Sequence, residues 1–409
     1  MRIKGALRAL LGSLALVAAI AGCVAAPSPR PSGELEGAIA RTRARLLAED
    51  PAWSAETEDF FGALVESAWR VAHAARYLDA PEFQPGRGIV GLPGLFNPDN
   101  RYTSALLDPN GAYRISGTRG THALLSLQFL AGYPLVELSK GLDVIDLDAE
   151  GIAAGEEFDF WLGGDPAEAP DGRWRPLPEN ARAVLARQTF DDWTRETPSR
   201  LQIERLDPHG RLPDGPSHAA LAADYLDRAT ALWADGYLAG LARLPENTMP
   251  PIRASGSEAG GLSGQQGVIT RYRLAPGEAL LVTVRKSTAR YQSIQLGNRW
   301  FATQNPIRFP SSLSLAQAHA DADGMLRFVI SDEDPGVHNW LATAGAARGY
   351  LMIRWQGLTQ PLDPTSPPSA RVVSLDALDA ALPEDTRRVT PAERAEQLTA
   401  RRALPALKD

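Results

Sequence analysis

The chain is poor in two residue types that often define a class of protein, cysteine and lysine. Its 409 residues contain a single cysteine, Cys23, so no disulfide can form within one molecule. Small secreted domains that depend on disulfides are therefore excluded. Stability must come from packed apolar side chains, and a chain of this length can bury enough of them for two separate cores.

Basic residues are also scarce relative to acidic ones. The chain carries 42 lysine and arginine residues against 49 aspartate and glutamate residues, a formal charge of -7, and only Lys4, Lys140, Lys286 and Lys408 are lysines. A protein that binds nucleic acid needs a basic surface to neutralise phosphates. Attraction to anionic lipids would need a polybasic segment. Neither pattern is present, so we expect no nucleic-acid partner.

Long apolar runs are missing too, and the run near the amino terminus is short. After Arg8 it extends for roughly a dozen residues, which suits a signal peptide and cannot span a bilayer as a helix. It ends in Ile20-Ala21-Gly22-Cys23, which resembles the lipobox of bacterial lipoproteins. The resemblance implies cleavage before Cys23 and acylation of its thiol. The alternative is an ordinary buried cysteine.

Lipidation of Cys23 would determine where the protein resides. Two or three acyl chains on one cysteine make a stable anchor, so we expect a globular protein tethered to a membrane of the cell envelope. Because Val24 and not aspartate follows, resemblance to known sorting rules favours the outer membrane in a cell with two membranes. Loss of residues 1–22 removes three cations and no acids, which changes the formal charge from -7 to -10. Membrane attachment would then depend on the acyl chains.

The order of helical and β-prone segments predicts a mainly β protein with helical segments, an α+β fold with two β domains. Helical spacing is expected over 34–48 and 55–78. The expected division is a signal peptide (1–22), a lipidated tether (23–33), amino-terminal helices (34–80), an amino-terminal β domain (81–175), a helical connector (176–254), a carboxy-terminal jelly-roll-like antiparallel β sandwich (255–360), and a proline-rich segment with a peripheral carboxy-terminal helix (361–409).

Strand-like runs bounded by turn residues occur in both β regions. They are 101–107, 112–116, 122–129 and 157–162 in the first region, and 268–274, 279–285, 291–296, 325–330 and 349–355 in the second. The turn Asp108-Pro109-Asn110-Gly111 predicts a hairpin, since proline presets φ and Asn-Gly accepts a positive φ. Composition predicts helices over 179–196 and 217–244, the second capped by Ser217.

Common catalytic templates are absent or fail. The chain has no G-x-S-x-G, H-E-x-x-H or Walker A pattern. Residues 86–91 match G-x-G-x-x-G, but the glycine- and proline-rich residues that follow cannot form the required helix. Residues 321–324 resemble the start of a calcium loop, yet Asp332 stands where a bidentate glutamate is required. We therefore predict a hairpin turn there, and expect no metal or cofactor.

Two polar clusters remain as candidate sites. Asp334 and His338, on the polar run 331–340 at a strand exit, are a candidate catalytic pair, because a carboxylate near an imidazole can tune a general base. The structural alternative is a turn at Asp334 that Asn339 braces, with a tryptophan filling the sandwich. A polar pair beside aromatic rings suits a sugar or an anionic ligand, and it suits a strand end equally well. The candidate ligand-binding residues are Asn298, Arg299, Trp300, Asn339 and Trp340.

Several blocks of the chain resemble the bacterial domain of unknown function 1214 family. They are YQSIQLGNRW (291–300), SLAQA (314–318), DPGVHNWL (334–341), TAG (343–345) and IRW (353–355). Upstream, NPDNRY (97–102), YRISGTRG (113–120) and RQTFDDW (187–193) resemble the amino-terminal half of longer members. The resemblance implies a jelly-roll sandwich joined to an amino-terminal β domain, with helices between. It implies no activity, and His338 departs from a family pattern in which a less polar residue is common.

Two functions follow as hypotheses. The preferred one is a lipid-anchored envelope protein that binds a small or polymeric ligand, or a partner, in a cleft near the loops 298–301 and 332–340. The alternative is an envelope enzyme that acts on an apolar or carbohydrate-like substrate with Asp334 and His338 as acid/base groups or metal ligands. Binding predicts an aromatic-lined groove, whereas catalysis predicts that Asp334 and His338 converge. A pure assembly role stays open, as does the oligomeric state.

Overall fold

The computed structural model describes residues 33–85, 91–170, 173–210, 215–256 and 260–402. The predicted signal peptide, Cys23 and the tether up to residue 32 lie outside the described residues. Gly33, the last residue of the predicted tether, begins the first helix. In the described ranges, no helix has both the length and the apolar character needed to cross a bilayer.

Helices precede the first β region, connect it to the second, and follow the last strand of the second. They are α1 Gly33–Glu49, α2 Ala55–Ala74, α3 His218–Thr230, α4 Leu238–Leu241, α5 Leu378–Ala381 and α6 Pro391–Arg402. Ser217 Oγ accepts the backbone N–H of Ala220 at 3.2 Å and caps α3, as predicted. A π-helical segment, Ala231–Tyr237, joins α3 to α4.

The amino-terminal β region is a sandwich of two sheets. Its strands are β1 Gln84–Pro85, β2 Asn100–Leu106, β3 Tyr113–Thr118, β4 Leu124–Leu130, β5 Gly141–Asp146, β6 Glu157–Leu162, β7 Trp174–Arg175, β8 Ala183–Thr189 and β9 Arg200–Arg205. One sheet, the β8 sheet, has the order β1-β2-β8-β4-β5, and the other has the order β7-β6-β3-β9. Ile115, Leu127, Phe129, Phe160 and Val184 are among the apolar side chains between them.

Two local predictions for this region are wrong. Residues 179–196 do not form a helix, because Ala183–Thr189 pairs with β2 on one side and β4 on the other in the middle of a sheet. The turn at Asp108 exists, with the N–H of Gly111 donating to Asp108 O at 2.9 Å. It does not close a hairpin, since β2 pairs with β8 whereas β3 pairs with β6 and β9. The turn instead carries the chain from one sheet to the other.

The carboxy-terminal β region is a second sandwich, as predicted. Its strands are β10 Arg253–Ala254, β11 Gln266–Arg273, β12 Glu278–Arg285, β13 Tyr291–Gly297, β14 Ser312–Ser314, β15 Met325–Ser331, β16 Trp340–Ala342, β17 Arg348–Gln356 and β18 Ser369–Ser374. One sheet, the β17 sheet, has the order β10-β11-β17-β13-β14, and the other has the order β16-β15-β12-β18. The pairing is antiparallel except that β16 runs parallel to β15. Tyr272, Val282, Ile294, Phe328 and Trp355 lie in the core.

The segment after residue 360 is more than the peripheral element predicted from its composition. Strand β18 pairs with β12 and extends a sheet of the second sandwich. On α6, the buried side chain of Arg401 donates to Pro306 O at 3.0 Å and to Ser312 O at 2.6 Å. The carboxy-terminal helix is therefore packed onto the sandwich through buried hydrogen bonds.

Candidate functional site

The predicted catalytic pair, Asp334 and His338, is linked indirectly, through Arg394 and Gln397, because Arg394 Nη1 donates to Gln397 Oε1 at 2.7 Å. Asp334 Oδ2 lies 2.8 Å from Arg394 Nε on α6. His338 Nε2 lies 3.0 Å from Gln317 O, and His338 Nδ1 lies 3.2 Å from the side-chain nitrogen of Gln397. No hydrogen bond joins Asp334 to His338 within the part of the chain that the structure describes.

The surroundings of His338 favour the neutral form of its imidazole. Burial, the largest influence, lowers its pKa, and nearby arginine charges act in the same direction. In the neutral tautomer that fits these contacts, Nε2–H donates to Gln317 O while Nδ1 accepts from Gln397. Both ring nitrogens are thus engaged, which leaves neither for a substrate proton or a metal ion.

Asn339 and Trp340 have structural contacts, although Asn339 binds the backbone of His319 and not the turn at Asp334. Asn339 Oδ1 accepts the N–H of His319 at 2.8 Å, and Nδ2 donates to His319 O at 2.6 Å. The ring of Trp340 is buried, and its Nε1 donates to Ser331 Oγ at 3.0 Å. Arg394 lies over this ring, 5.1 Å from its centroid. These contacts brace the loop after β15.

The loop after β13 docks the second sandwich onto the amino-terminal helices. The ring of Trp300 is 2% exposed and stacks on Phe60 of α2, with 4.9 Å between ring centroids. Its Nε1 donates to Thr57 Oγ1 at 2.9 Å. Asn298 Oδ1 accepts the backbone N–H groups of Trp300 and Ala302 at 3.0 and 3.2 Å. The two predicted ligand contacts therefore form a buried joint.

Arg299 belongs to the same joint but stays partly accessible. Its Nη1 lies 3.3 Å from Asp50 Oδ1, and its Nη2 donates to Glu49 O at 2.9 Å. Hydrogen bonds from Ser54 and Thr57 lower the pKa of Asp50 to about 2. Asp50 is thus a fixed anion that orients Arg299, whose side chain is 25% exposed.

An apolar cleft of about 430 Å³ lies between α2 and the outer face of the β8 sheet. Its helical wall includes Gly62, which has no side chain, and Ala63, which has only a methyl group, and both leave the space open. Residues 59, 62, 63, 66, 70 and 74 share this wall at helical spacing. The apolar residues of the opposite wall are Leu92, Phe96, Tyr102, Leu106, Pro134, Leu135 and Leu185.

Charged groups on the helical wall make this cleft polar on one side. The lining contains Glu58, Asp59 and Glu66 against one cation, Arg70. Glu66 Oε1 lies 3.9 Å from Arg70 Nη1, and burial lowers the pKa of Arg70. Partial desolvation, then the charge of Glu58, raises the pKa of Asp59. Among the described residues, the Asp59 carboxylate has no hydrogen-bond or ion-pair partner.

Behind this cleft, a buried polar layer lies between the two sandwiches, and sequence reasoning missed it. Tyr102, which lines the cleft, accepts the N–H of Asn97 at 2.9 Å. Tyr291 Oη lies 2.5 Å from Asp99 Oδ2 and 2.9 Å from Asn97 Oδ1. Arg354 donates to Gln295 and to a backbone carbonyl. Three sequence blocks could have indicated this layer, because each of them contributes residues to it: 97–102, 291–300 and 353–355.

Burial sets the protonation of this layer. Asp99 is 1% exposed, and desolvation raises its pKa to about 7 despite the hydrogen bond from Tyr291. Burial also raises the pKa of Tyr291 well above its usual value. In the described structure, Asp99 Oδ1, Asn100 Nδ2 and Ser293 Oγ are buried without a hydrogen-bond partner. Such atoms in native proteins are ordinarily satisfied by ordered water.

A buried serine-histidine pair was also not predicted. His122 Nε2 lies 2.9 Å from Ser199 Oγ, and His122 Nδ1 lies 2.9 Å from Leu124 O. Burial, followed by the charge of Arg119, lowers the pKa of His122 to about 3. The N–H of Gly120 donates to Ser199 Oγ at 2.7 Å. With both side chains buried and a backbone carbonyl in place of a carboxylate, the pair joins the start of β4 to β9.

The fold and the cavities define the class of protein. It has two β sandwiches, helices packed where the sandwiches meet, and a cleft between α2 and the β8 sheet. No family model matches the chain, and no curated protein matches it. Among solved structures, an uncharacterized protein from Burkholderia cenocepacia is similar over 84% of this chain and 97% of its own, with a TM-score of 0.71 and 27% sequence identity. A protein from Vibrio parahaemolyticus covers 78% of this chain and 98% of its own, with a TM-score of 0.44 and 12% identity.

Proposed function

We propose that this protein is a lipid-anchored component of the bacterial cell envelope that binds a small amphipathic ligand in the cleft between α2 and the β8 sheet. The observation that carries the proposal is the lining of that cleft. A volume of about 430 Å³ with apolar walls and a few convergent polar groups is characteristic of small-molecule sites. The loops 298–301 and 332–340 are less suitable, because their candidate side chains are engaged in packing.

The lining indicates the chemistry of the ligand. Phe96, Tyr102, Leu106 and Leu185 offer apolar and aromatic surface to an apolar body. Three carboxylates against one arginine favour a basic group or a hydrogen-bond donor at the other end of the ligand. Asp59, which has no protein partner among the described residues, is the carboxylate best placed to receive it.

The lipid anchor is a separate part of the proposal. The lipobox-like sequence ending in Cys23 supports it. Because the composition is acidic and supplies no basic patch for anionic lipids, attachment would depend on the acyl chains. Resemblance to the domain of unknown function 1214 family agrees with the two-sandwich architecture. Among the described residues Asp334 and His338 share no direct hydrogen bond, and both are engaged by other side chains, so the geometry gives no reason to assign them an enzymatic reaction.

A pair of ligands with one apolar body and opposite charges tests the cleft. We expect decylamine, kept below its micellar concentration, to raise the melting temperature of the Cys23→Ala protein lacking residues 1–22 more than decanoate does, because the cleft is acidic. Ala63→Leu should abolish this stabilisation by filling the cleft. Ala40→Leu is the matched control, since Ala40 is an exposed alanine on α1.

Two results would contradict the proposal. Equal stabilisation of the Ala63→Leu and Ala40→Leu variants would place the ligand elsewhere. The absence of any shift with both ligands in the unsubstituted protein would remove the amphipathic-ligand hypothesis. Calorimetric titration then measures whether Asp59→Asn weakens decylamine more than decanoate, as the loss of one carboxylate predicts.

A further inference from the structure

A second cavity, which we call the arginine cavity, lies between α1, the π-helical segment with α4, and the β17 sheet. Its volume is about 400 Å³. The arginines that line it are Arg45, Arg271, Arg273, Arg299 and Arg348. The acidic residues in the lining are three, Glu49, Asp235 and Glu246, so the wall carries an excess of positive charge.

Strand pairing places much of this charge on one face of a sheet. Arg271 and Arg273 are two residues apart on β11, so both side chains point to the same side. Their partners on β17 are Tyr350 and Arg348, respectively. The antiparallel register itself therefore brings three guanidinium groups and a phenol to a single patch.

Most of these arginines lie in ion pairs within 4 Å, whereas Arg348 acts on Glu246 from a longer distance. Arg271 and Arg273 share Glu246, at 3.3 and 3.1 Å. Arg45 pairs with Asp235 on the π-helical segment, and Arg299 is held by Asp50 as described above. In the described parts of the chain, neither the exposed guanidinium of Arg348 nor the hydroxyl of Tyr350 has a hydrogen-bond or ion-pair partner.

The helical wall of the cavity is apolar and leaves room. Ala234, Leu238, Ala239 and Ala242 line it, and three of these side chains are methyl groups. The first of them lies in the π-helical segment, a geometry that is rare and frequently found at functional sites. A ligand could therefore place an apolar body against this wall while a charged end faces the arginines.

We propose that the arginine cavity binds a small organic anion through a carboxylate or phosphate group, with Arg348 and Tyr350 as its direct contacts. Guanidinium groups suit both anions because they donate two parallel hydrogen bonds. This site is independent of the cleft at α2: its ligand has the opposite charge, and its lining shares no residue with that cleft.

Calorimetric titration of the full chain, purified in detergent, tests this proposal with phenyl phosphate and benzoate. Benzyl alcohol, which has the same ring and no charge, is the ligand control. We expect at least one of the anions to bind and the alcohol not to bind. Arg348→Gln should weaken anion binding about tenfold, as loss of a charge-assisted hydrogen bond predicts. Arg253→Gln, on the edge strand β10 of the same sheet, should leave it unchanged.

Tyr350→Phe provides a second variant that keeps the ring packed on Phe301, whose centroid lies 5.0 Å away. It should weaken binding several-fold and leave the melting temperature near that of the unsubstituted protein. Binding of phenyl phosphate alone, or of benzoate alone, would identify the anion. The proposal is overturned if neither anion binds, or if Arg348→Gln and Tyr350→Phe both retain full affinity.

Discussion

At the scale of single residues, a side chain can satisfy the sequence pattern of a binding site and still serve as a structural joint. Trp300 and Asn298 present an aromatic ring beside polar groups, yet the ring stacks on Phe60 and the amide satisfies backbone donors. Both roles need a large apolar surface with satisfied hydrogen bonds. What distinguishes a ligand-binding role from a structural role is the group that the side chain contacts, and the local sequence does not specify that group.

The reverse holds for Asp99, which no local pattern marks as unusual. The hydroxyl group that donates to its carboxylate, that of Tyr291, is 192 positions away in the chain. Asp99 precedes β2 of the first sandwich, and Tyr291 begins β13 of the second. The two side chains therefore meet only because the two sandwiches pack against each other. Burial at that joint, and not the sequence around Asp99, raises the pKa of the carboxyl group.

The raised pKa of Asp99 predicts a pH-dependent stability. Folding raises this pKa from its usual value of 3.8 to about 7, so the folded state holds a proton that the unfolded state releases. The favourable contribution is complete below the unfolded pKa and is lost as pH rises through the folded pKa. Asp99→Asn should therefore gain stability relative to the unsubstituted protein as pH rises, by at most about 1.4 kcal/mol per pH unit.

Urea unfolding between about pH 4.5 and about pH 7.5 measures this difference. His122, whose pKa is lowered to about 3, acts in the opposite direction in both proteins. The contribution of His122 to the free energy of unfolding is present above its unfolded pKa and is lost on acidification. Because this contribution is the same in both proteins, it cancels in the comparison. Parallel profiles for Asp99→Asn and the unsubstituted protein would show that Asp99 does not hold its proton near neutrality.

At the scale of elements, β8 shows why one helix prediction is wrong. Its sequence, AVLARQT, is rich in good helix formers. The segment becomes a strand because β2 and β4 offer hydrogen-bonding partners along both of its edges. The long helices α1 and α2 were predicted, although α2 ends at Ala74 and not at residue 78, because packing and propensity act in the same direction there.

The carboxy-terminal helix offers a matched pair of arginines for a test of its packing. Arg401 is buried and donates to backbone carbonyls, whereas the adjacent Arg402 is exposed. Arg401→Met should lower the free energy of unfolding by about 1 to 3 kcal/mol, because Ser312 O and Pro306 O lose their donor. Arg402→Met should change it by less than about 0.5 kcal/mol.

Denaturant titration of both variants gives the comparison. A similar loss in Arg401→Met and Arg402→Met would mean that α6 contributes through its charge. Similar stability of both variants and the unsubstituted protein would mean that the buried hydrogen bonds of Arg401 do not stabilise the sandwich.

At the scale of the whole molecule, the two sandwiches meet through a polar layer, and the helices cover the edge of that joint. Trp300 and Arg299 connect the second sandwich to the helices, and Tyr291 connects it to the first sandwich. Both cavities occur where helices meet a sheet. Concave sites of this size between packed elements are where small-molecule ligands usually bind.

The proposed anchor is a property of the whole molecule in its cell. Labelling with a palmitate analogue should give an acylated protein in the membrane fraction, and Cys23→Ala should remove both the label and the membrane association. An acylation signal that survives Cys23→Ala would contradict lipidation at this residue. Membrane association that persists without the label would indicate an attachment other than the acyl chains.

Composition and periodicity by themselves determined the fold class, the first two helices, the capped helix at Ser217 and the five longest strands of the second sandwich, β11, β12, β13, β15 and β17. Those features depend on local spacing of apolar side chains and on turn residues. Only the tertiary structure decided that β8 is a strand and that Trp300 packs between the second sandwich and α2. It also decided that Asp99 and Tyr291 are hydrogen-bonded and buried together. Each of these depends on which distant surfaces meet, and hydrogen bonding and desolvation act only after they do.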